Sequence, residues 1–130
     1  MTAQKPERFC IAILALGGQG GGVLTEWIQT TAQRNGWLAQ ATSVPGVAQR
    51  TGSTVYYLEL AKPDDRGRAP VMAQMPMPGE VDIAIASELM ETGRAMLRGF
   101  STAGRTTLIG STHRIYAISE KSAMGDGRGN

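Results

Sequence analysis

Phe9-Cys-Ile-Ala-Ile-Leu-Ala-Leu16, followed at once by Gly17-Gly-Gln-Gly-Gly-Gly22, decides the fold. The first eight residues are apolar without a break, too few for an ordinary helix, and glycine stops them abruptly. Such a run fits a strand buried on both faces, as in a parallel sheet. Beyond the glycines, Val23, Leu24, Trp27, Ile28, Thr31 and Ala32 recur at helical spacing, and Asn35-Gly36 supplies a helix stop. Leu38–Val44 then reads as a second strand. The unit is strand, glycine turn, helix, strand, for which a right-handed crossover is expected.

Working outward, Ser53–Leu60 is rich in β-branched and aromatic residues and predicts a third strand. Pro45–Gly52 is a loop between the two. Lys62–Gly79 holds four prolines and reads as connection, with a short edge strand expected at 69–75. Val81–Ala86 predicts another buried strand. Ser87 is the expected N-cap of a following helix, with Glu88 and Glu91 near its positive end. Leu89, Met90, Gly93, Met96, Leu97 and Phe100 are expected to trace the inner face of that helix, and Arg94 and Arg98 lie towards its negative end. Thr106–Gly110 supplies one more strand, and 114–118 a further extended piece. Strands alternating with helices define an α/β protein: an open, mostly parallel sheet with helices on its faces, Rossmann-like and three-layered. The expected organisation is a polar tail at 1–8, one domain over 9–118 and a flexible tail at 119–130. No helix is predicted after the last strand, so a C-terminally incomplete domain is expected.

Composition narrows the function classes. The 130 residues suit one domain, and 42% hydrophobic with 18% charged residues is the balance of a globular chain. A net charge of +2, with no basic run interleaved with aromatics, gives no footprint for nucleic acid. One cysteine, Cys10, and one histidine, His113, rule out an internal disulfide framework, a four-cysteine iron–sulfur or zinc site and a histidine-rich metal site within these residues. No signal-peptide pattern and no apolar stretch of membrane-spanning length occur in the sequence, so a cytoplasmic location is expected.

The seventeen glycines are about twice the usual share and cluster at 17–22 and again at 125–129. Between a buried strand and a helix start, glycines let the backbone turn sharply and approach a ligand closely. The free N–H groups of the first helical turn then point at it, which makes an anion site. Common nucleotide motifs nevertheless fail residue by residue. G-x-G-x-x-G aligned from Gly18 puts its third glycine on Val23, and aligned from Gly20 on Thr25. No Asp or Glu stands between Trp27 and Leu58 to bind a ribose, and Val23 occupies the lysine position of the phosphate loop. Two alternatives stay open at this point: a stand-alone nucleotide-binding module with a divergent glycine turn, and a tight turn that binds nothing.

Three features together resemble the gamma subunits of the pyruvate/2-oxoacid:ferredoxin oxidoreductase family. The first is the glycine cluster with Gln19 inside it. The second is Val47-Ala-Gln-Arg-Thr-Gly-Ser53, about thirty residues later and just before a strand. The third is Val81-Asp-Ile-Ala-Ile-Ala86, opening on Ser87-Glu-Leu. They occur in the family's order over residues 9–113. Leu16 before the double glycine and Thr51 in the second segment depart from the usual pattern. Residues 111–128 resemble the indolepyruvate-type form, in which this domain opens a longer polypeptide.

The resemblance implies an accessory subunit or domain of an enzyme that oxidatively decarboxylates a 2-oxoacid to an acyl-CoA, here indolepyruvate. Thiamine diphosphate and the iron–sulfur clusters would sit on partner subunits, and no catalytic or metal-binding residue is expected in this chain. It further implies a surface for coenzyme A or for an acidic group of the partner. That surface would be built from Gly18, Gln19, Gly20, Gly21 and Gly22 together with Gln49 and Arg50. The glycines would offer N–H groups, Gln19 an amide, and Arg50 a planar charged fork.

The remaining singular residues have structural readings. Cys10 and the two tryptophans are expected to pack, Met72, Met75 and Met77 to lie in a connection, Asp64-Asp65-Arg66 to form a solvated turn, and Glu88 and Glu91 to favour a helix start rather than to act as acid and base.

Overall fold

The computed structural model describes residues 8–45, 53–68, 77 and 79–112. They form β1 (Arg8–Leu16), α1 (Gly21–Arg34), β2 (Leu38–Pro45), β3 (Ser53–Ala61), β4 (Ile83–Ala86), α2 (Leu89–Leu97) and β5 (Thr107–Gly110). The expected extended pieces at 69–75 and 114–118, His113, Met72, Met75, residues 1–7 of the expected amino-terminal tail and the tail at 119–130 lie outside the described residues, whereas Arg8 opens β1.

The five strands make one open sheet in the order β2-β3-β1-β4-β5. β1 pairs parallel with β4 and β4 with β5, whereas β3 pairs antiparallel with both β1 and β2. Four of the five strands therefore point the same way, which is the mostly parallel α/β sheet read from the sequence. The strand–helix–strand unit is not contiguous, however: β3 is inserted between β1 and β2. Ordering along the chain cannot reveal this, because a strand buried on both faces carries the same apolar pattern in either direction.

β1 is the spine. Cys10 through Leu16 are all buried, and successive side chains alternate between the two faces. Ile11 and Ile13 pack with Leu24, Ile28 and Ala32 of α1 and with Leu58 and Leu60 of β3. Ala12 and Leu14 pack with Ala95, Phe100, Val55 and Val81 on the face that α2 covers. Helices thus cover both faces, giving three layers. Asp82 ties the lead-in of β4 to β1: its Oδ2 accepts from the Cys10 N–H at 2.8 Å, and its own N–H donates to the Cys10 carbonyl at 2.8 Å. Cys10 is buried in the sheet, as its packing role requires. Asp64 receives the N–H groups of Arg66 and Arg68 and the Arg68 guanidinium, a solvated turn as expected.

Both helices turn differently from the apolar count. In α1, Val23 and Trp27 face outward, with Trp27 67% exposed, so Trp27 is not the packing residue it was expected to be. The inner stripe is Leu24, Thr25, Ile28 and Ala32. Trp37 does pack on this cluster, with the Lys62 ammonium 5.1 Å from its ring centre. In α2 the N-cap is Glu88, not Ser87: the Glu88 carboxylate accepts from the N–H groups of Glu91 at 2.7 Å and Met90 at 3.0 Å. The buried face is Glu88, Glu91, Ala95 and the following Phe100, whereas Leu89, Met96 and Leu97 are exposed. Two carboxylates occupy the inner face because each finds hydrogen-bond or ionic partners there, which offsets their desolvation.

Candidate functional site

In an open α/β sheet, ligands bind at the carboxyl ends of the parallel strands. Here that edge gathers the end of β1 at Leu16, the end of β4 with Ser87, and the start of the antiparallel β3, since Leu16 is the cross-strand partner of Ser53. Pro45 at the end of β2 lies opposite Thr54 on the same edge. Pro45 and Ser53, which flank the segment carrying Gln49 and Arg50, therefore both lie at this edge. Gln49 and Arg50 themselves lie outside the described residues.

The turn itself is built from Gly17–Gly20. Gly18 and Gly20 adopt φ of +81° and +78°, a region that side-chain-bearing residues rarely enter, and Gly20 is the N-cap of α1. A Cβ added at Gly17, Gly18 or Gly20 would meet nothing within 4 Å, so the turn opens to space. Gly21 is the opposite case: its Cβ would stand 2.6 Å from Tyr56 Cε2 and 2.8 Å from Ala15 Cβ. The first turn of α1 thus rides directly on Tyr56 of β3. Among the described residues the N–H groups of Gly20, Gly21 and Gly22 enter no hydrogen bond, as expected for the first turn of a helix without a side-chain cap.

Gln19 is held by its carbonyl oxygen. The Leu16 N–H, which can only donate, meets Gln19 Oε1 at 2.9 Å, and this fixes which end of the amide faces the strand. Ser87 Oγ donates to the same Oε1, linking the glycine turn to the β4–α2 junction. Ser87 N–H in turn donates to the Leu14 carbonyl at 3.0 Å. The Gln19 NH2 group is left as a donor with no partner among the described residues. The site therefore presents backbone N–H groups and one oriented amide, all donors. Ser87 and Tyr56 went unnoticed as site residues in the sequence, being 68 and 37 positions from Gln19; the only signal was the hydroxyl of Ser87 next to a predicted helix start.

Beneath the same edge lies a buried polar cluster. Arg94 Nη1 pairs with Glu91 Oε1 at 2.9 Å and approaches Ser53 Oγ at 3.5 Å, beside the capping Glu88. Burial pushes the Glu91 carboxyl above the ordinary carboxylate range; the Arg94 guanidinium opposes that and the Glu88 carboxylate adds to it. The folded chain thus holds the Glu91 proton more tightly than the unfolded chain does. As pH rises above 4.5, the unfolded state releases that proton first, so stability falls until the raised folded-state pKa is passed. Glu91→Gln should match the wild type at low pH and become progressively the more stable of the two towards neutrality. Parallel thermal melts of both proteins across pH check this; a difference that stays constant refutes it.

A concavity lies elsewhere among the described residues. A groove of about 500 Å³ at the carboxyl end of α1 is lined by Trp27, Ile28, Ala32, Trp37 and Leu60. Thr31 and Asn35 supply its polar lining, and none of the residues that line it is titratable. Among the described residues no three His, Cys, Asp or Glu side chains converge as a metal site, and no helix is long and apolar enough to cross a membrane.

The described residues thus form a three-layer α/β domain with backbone N–H groups and one amide gathered at a glycine turn on the carboxyl edge of the sheet. Comparison with known proteins narrows this class. The family model described as pyruvate ferredoxin/flavodoxin oxidoreductase matches residues 10–123, and the chain belongs to that family. Among curated proteins no sequence match was found. Of solved structures, 2-oxoglutarate:ferredoxin oxidoreductase from Magnetococcus marinus, with 2-oxoglutarate, coenzyme A and succinyl-CoA bound, superposes with a TM-score of 0.62 at 12% identity. The match covers 87% of this chain and 18% of that one. Pyruvate oxidoreductase subunit PORC from Thermotoga maritima superposes with a TM-score of 0.55 at 19% identity, covering 85% of this chain and 53% of that one. At these identities the structures establish the shared fold. The chain spans about half of one relative and less than a fifth of the other.

Proposed function

We propose that this chain is the gamma-type component of a cytoplasmic 2-oxoacid oxidoreductase of the indolepyruvate type, and that its glycine turn holds a phosphate of coenzyme A. Thiamine diphosphate and the iron–sulfur clusters, on partner subunits, supply carbanion formation and electron removal. This chain contributes binding and assembly. The observation that carries the reading is the donor set at the carboxyl edge: the unengaged N–H groups of Gly20–Gly22 and the outward amide of Gln19, with no acceptor among them. Gly18 sets the turn, and the reading adds Gln49 and Arg50 from the segment between β2 and β3 to the same surface. Preference for indolepyruvate rests on the resemblance of residues 111–128.

The test is reconstitution with the thiamine- and cluster-bearing subunits, following CoA-dependent reduction of an artificial acceptor with indolepyruvate, pyruvate and 2-oxoglutarate. Indolepyruvate should give the highest turnover. Gln19→Glu keeps both acceptor bonds, to the Leu16 N–H and the Ser87 hydroxyl, but turns the outward donor into a carboxylate oxygen. It should raise KM for CoA by roughly tenfold or more, equivalent to about 1.4 kcal/mol, with kcat little changed. Arg50→Ala should act in the same direction. Unchanged KM in both variants refutes the CoA site, and equal turnover with all three acids refutes the substrate assignment.

A further inference from the structure

Gln19 carries the one side chain of the glycine turn at 17–22, and the two ends of its amide differ in chemistry but hardly in shape. A half-turn about its last bond exchanges oxygen for NH2, so the turn could offer either an acceptor or donors. What lies behind the amide decides which. The Leu16 N–H donates to Oε1 at 2.9 Å. That bond alone favours the oxygen-inward form but leaves the group free to swing about it. The Ser87 hydroxyl donates to the same oxygen from the end of the neighbouring strand. Two hydrogen bonds converging on one atom from separate elements fix the plane of the amide and send its NH2 outward.

Ser87 is itself held in place. β4 runs parallel to β1 with Ala86 opposite Leu14. The Ser87 N–H donates to the Leu14 carbonyl at 3.0 Å, and the next residue, Glu88, caps α2. The Leu14 carbonyl is also the other acceptor near the hydroxyl, at 3.3 Å. It already takes the Ser87 N–H, so the hydroxyl proton goes to the nearer Gln19 oxygen. Were the amide reversed, its NH2 would face the Leu16 N–H, donor against donor, and that N–H would lose its acceptor.

We infer that Ser87 is the positioning residue of the glycine turn. Its hydroxyl sets the polarity of Gln19 and so restricts the turn to ligand groups that offer lone pairs, such as phosphate oxygens. Ser87 acts through the amide rather than on the ligand, and the inference rests on the ligand contact proposed for Gln19. Side chains held by rigid elements and by a second layer of hydrogen bonds are the ones that keep a binding geometry.

Two measurements separate this role from its premise. The first needs no ligand: 15N relaxation of the Gln19 side-chain amide in the full chain, its signals identified by their absence from Gln19→Ala. The amide should be as ordered as the surrounding backbone in the wild type and mobile on the ps–ns scale in Ser87→Ala. Order should return in Ser87→Thr, which keeps the hydroxyl. The second is KM for CoA in the reconstituted enzyme. Ser87→Ala should raise it roughly fivefold, as expected for about one hydrogen bond, with kcat little changed, and Ser87→Thr should restore it. In a Gln19→Ala background the same Ser87→Ala change should add nothing, whereas a general loosening of the β4–α2 junction would act with or without Gln19.

An amide equally ordered in Ser87→Ala and the wild type overturns the inference. So does an effect of Ser87→Ala on KM that persists without Gln19. If Gln19→Ala leaves KM unchanged while Ser87→Ala still frees the amide, the CoA reading falls and the positioning role stands.

Discussion

Gly21→Ala should cost about 2–3 kcal/mol of folding stability, near the upper end of what overpacking by one methyl group does. The added carbon would lie 2.6 Å from the Tyr56 ring and 2.8 Å from Ala15 Cβ. The ring can swing, but the second atom is fixed to the backbone of the central strand, so α1 must lift from the sheet. Gly22 next to it gives the control. There a Cβ would stand 3.7 Å from Tyr56, an ordinary contact, and alanine improves the helix. Gly22→Ala should therefore be neutral or slightly stabilising, while Gly21→Ala lowers the thermal midpoint by roughly ten degrees. Adding Ala15→Gly to Gly21→Ala should recover part of the loss. Equal stability of the two alanine variants would mean that α1 does not sit on β3 as described.

A second large effect is expected at the other end of the sheet. Glu59 has a fully buried side chain in β3 and forms an ion pair with Arg8, which is itself 46% exposed at the start of β1. Removing one partner of such a pair leaves a buried charge without its counter-ion, at a typical cost of 3–5 kcal/mol; the half-exposed guanidinium reduces this to about 2–3. Arg8→Ala should show that loss in denaturant unfolding at neutral pH. Replacing both members, Arg8→Met with Glu59→Leu, should recover most of it, since a well-packed apolar pair often substitutes for a buried ion pair. A double variant no better than Arg8→Ala would show that Glu59 is needed for its other contacts.

The sequence made β1, α1 and the α/β class legible because each rests on local chemistry: an unbroken apolar run, a glycine stop, a helical spacing. It did not make β3 legible as an insertion. Val55, Tyr57, Leu58 and Leu60 are buried whichever way the strand runs, and only its register against Leu16 and Pro45 fixes direction. The face of α2 was misread for a different reason. Leu89, Met96 and Leu97 outweigh Ala95 in any apolar count, and nothing local shows that Glu88 will be sealed inside as a cap and Glu91 against Arg94. Of the candidate site, the glycines were readable from their steric freedom. The Ser87–Gln19 contact was not, because the sheet alone brings those residues together.

The insertion of β3 also has a temporal side. Gly21 is fitted to Tyr56, so the turn near the amino terminus receives its floor from a strand ending at Ala61. On the ribosome, about forty further residues must be made after the glycines emerge. At 5–20 residues per second that is roughly 2–8 seconds. Through that interval β1 is an apolar strand with neither of its neighbours, β3 and β4, in place.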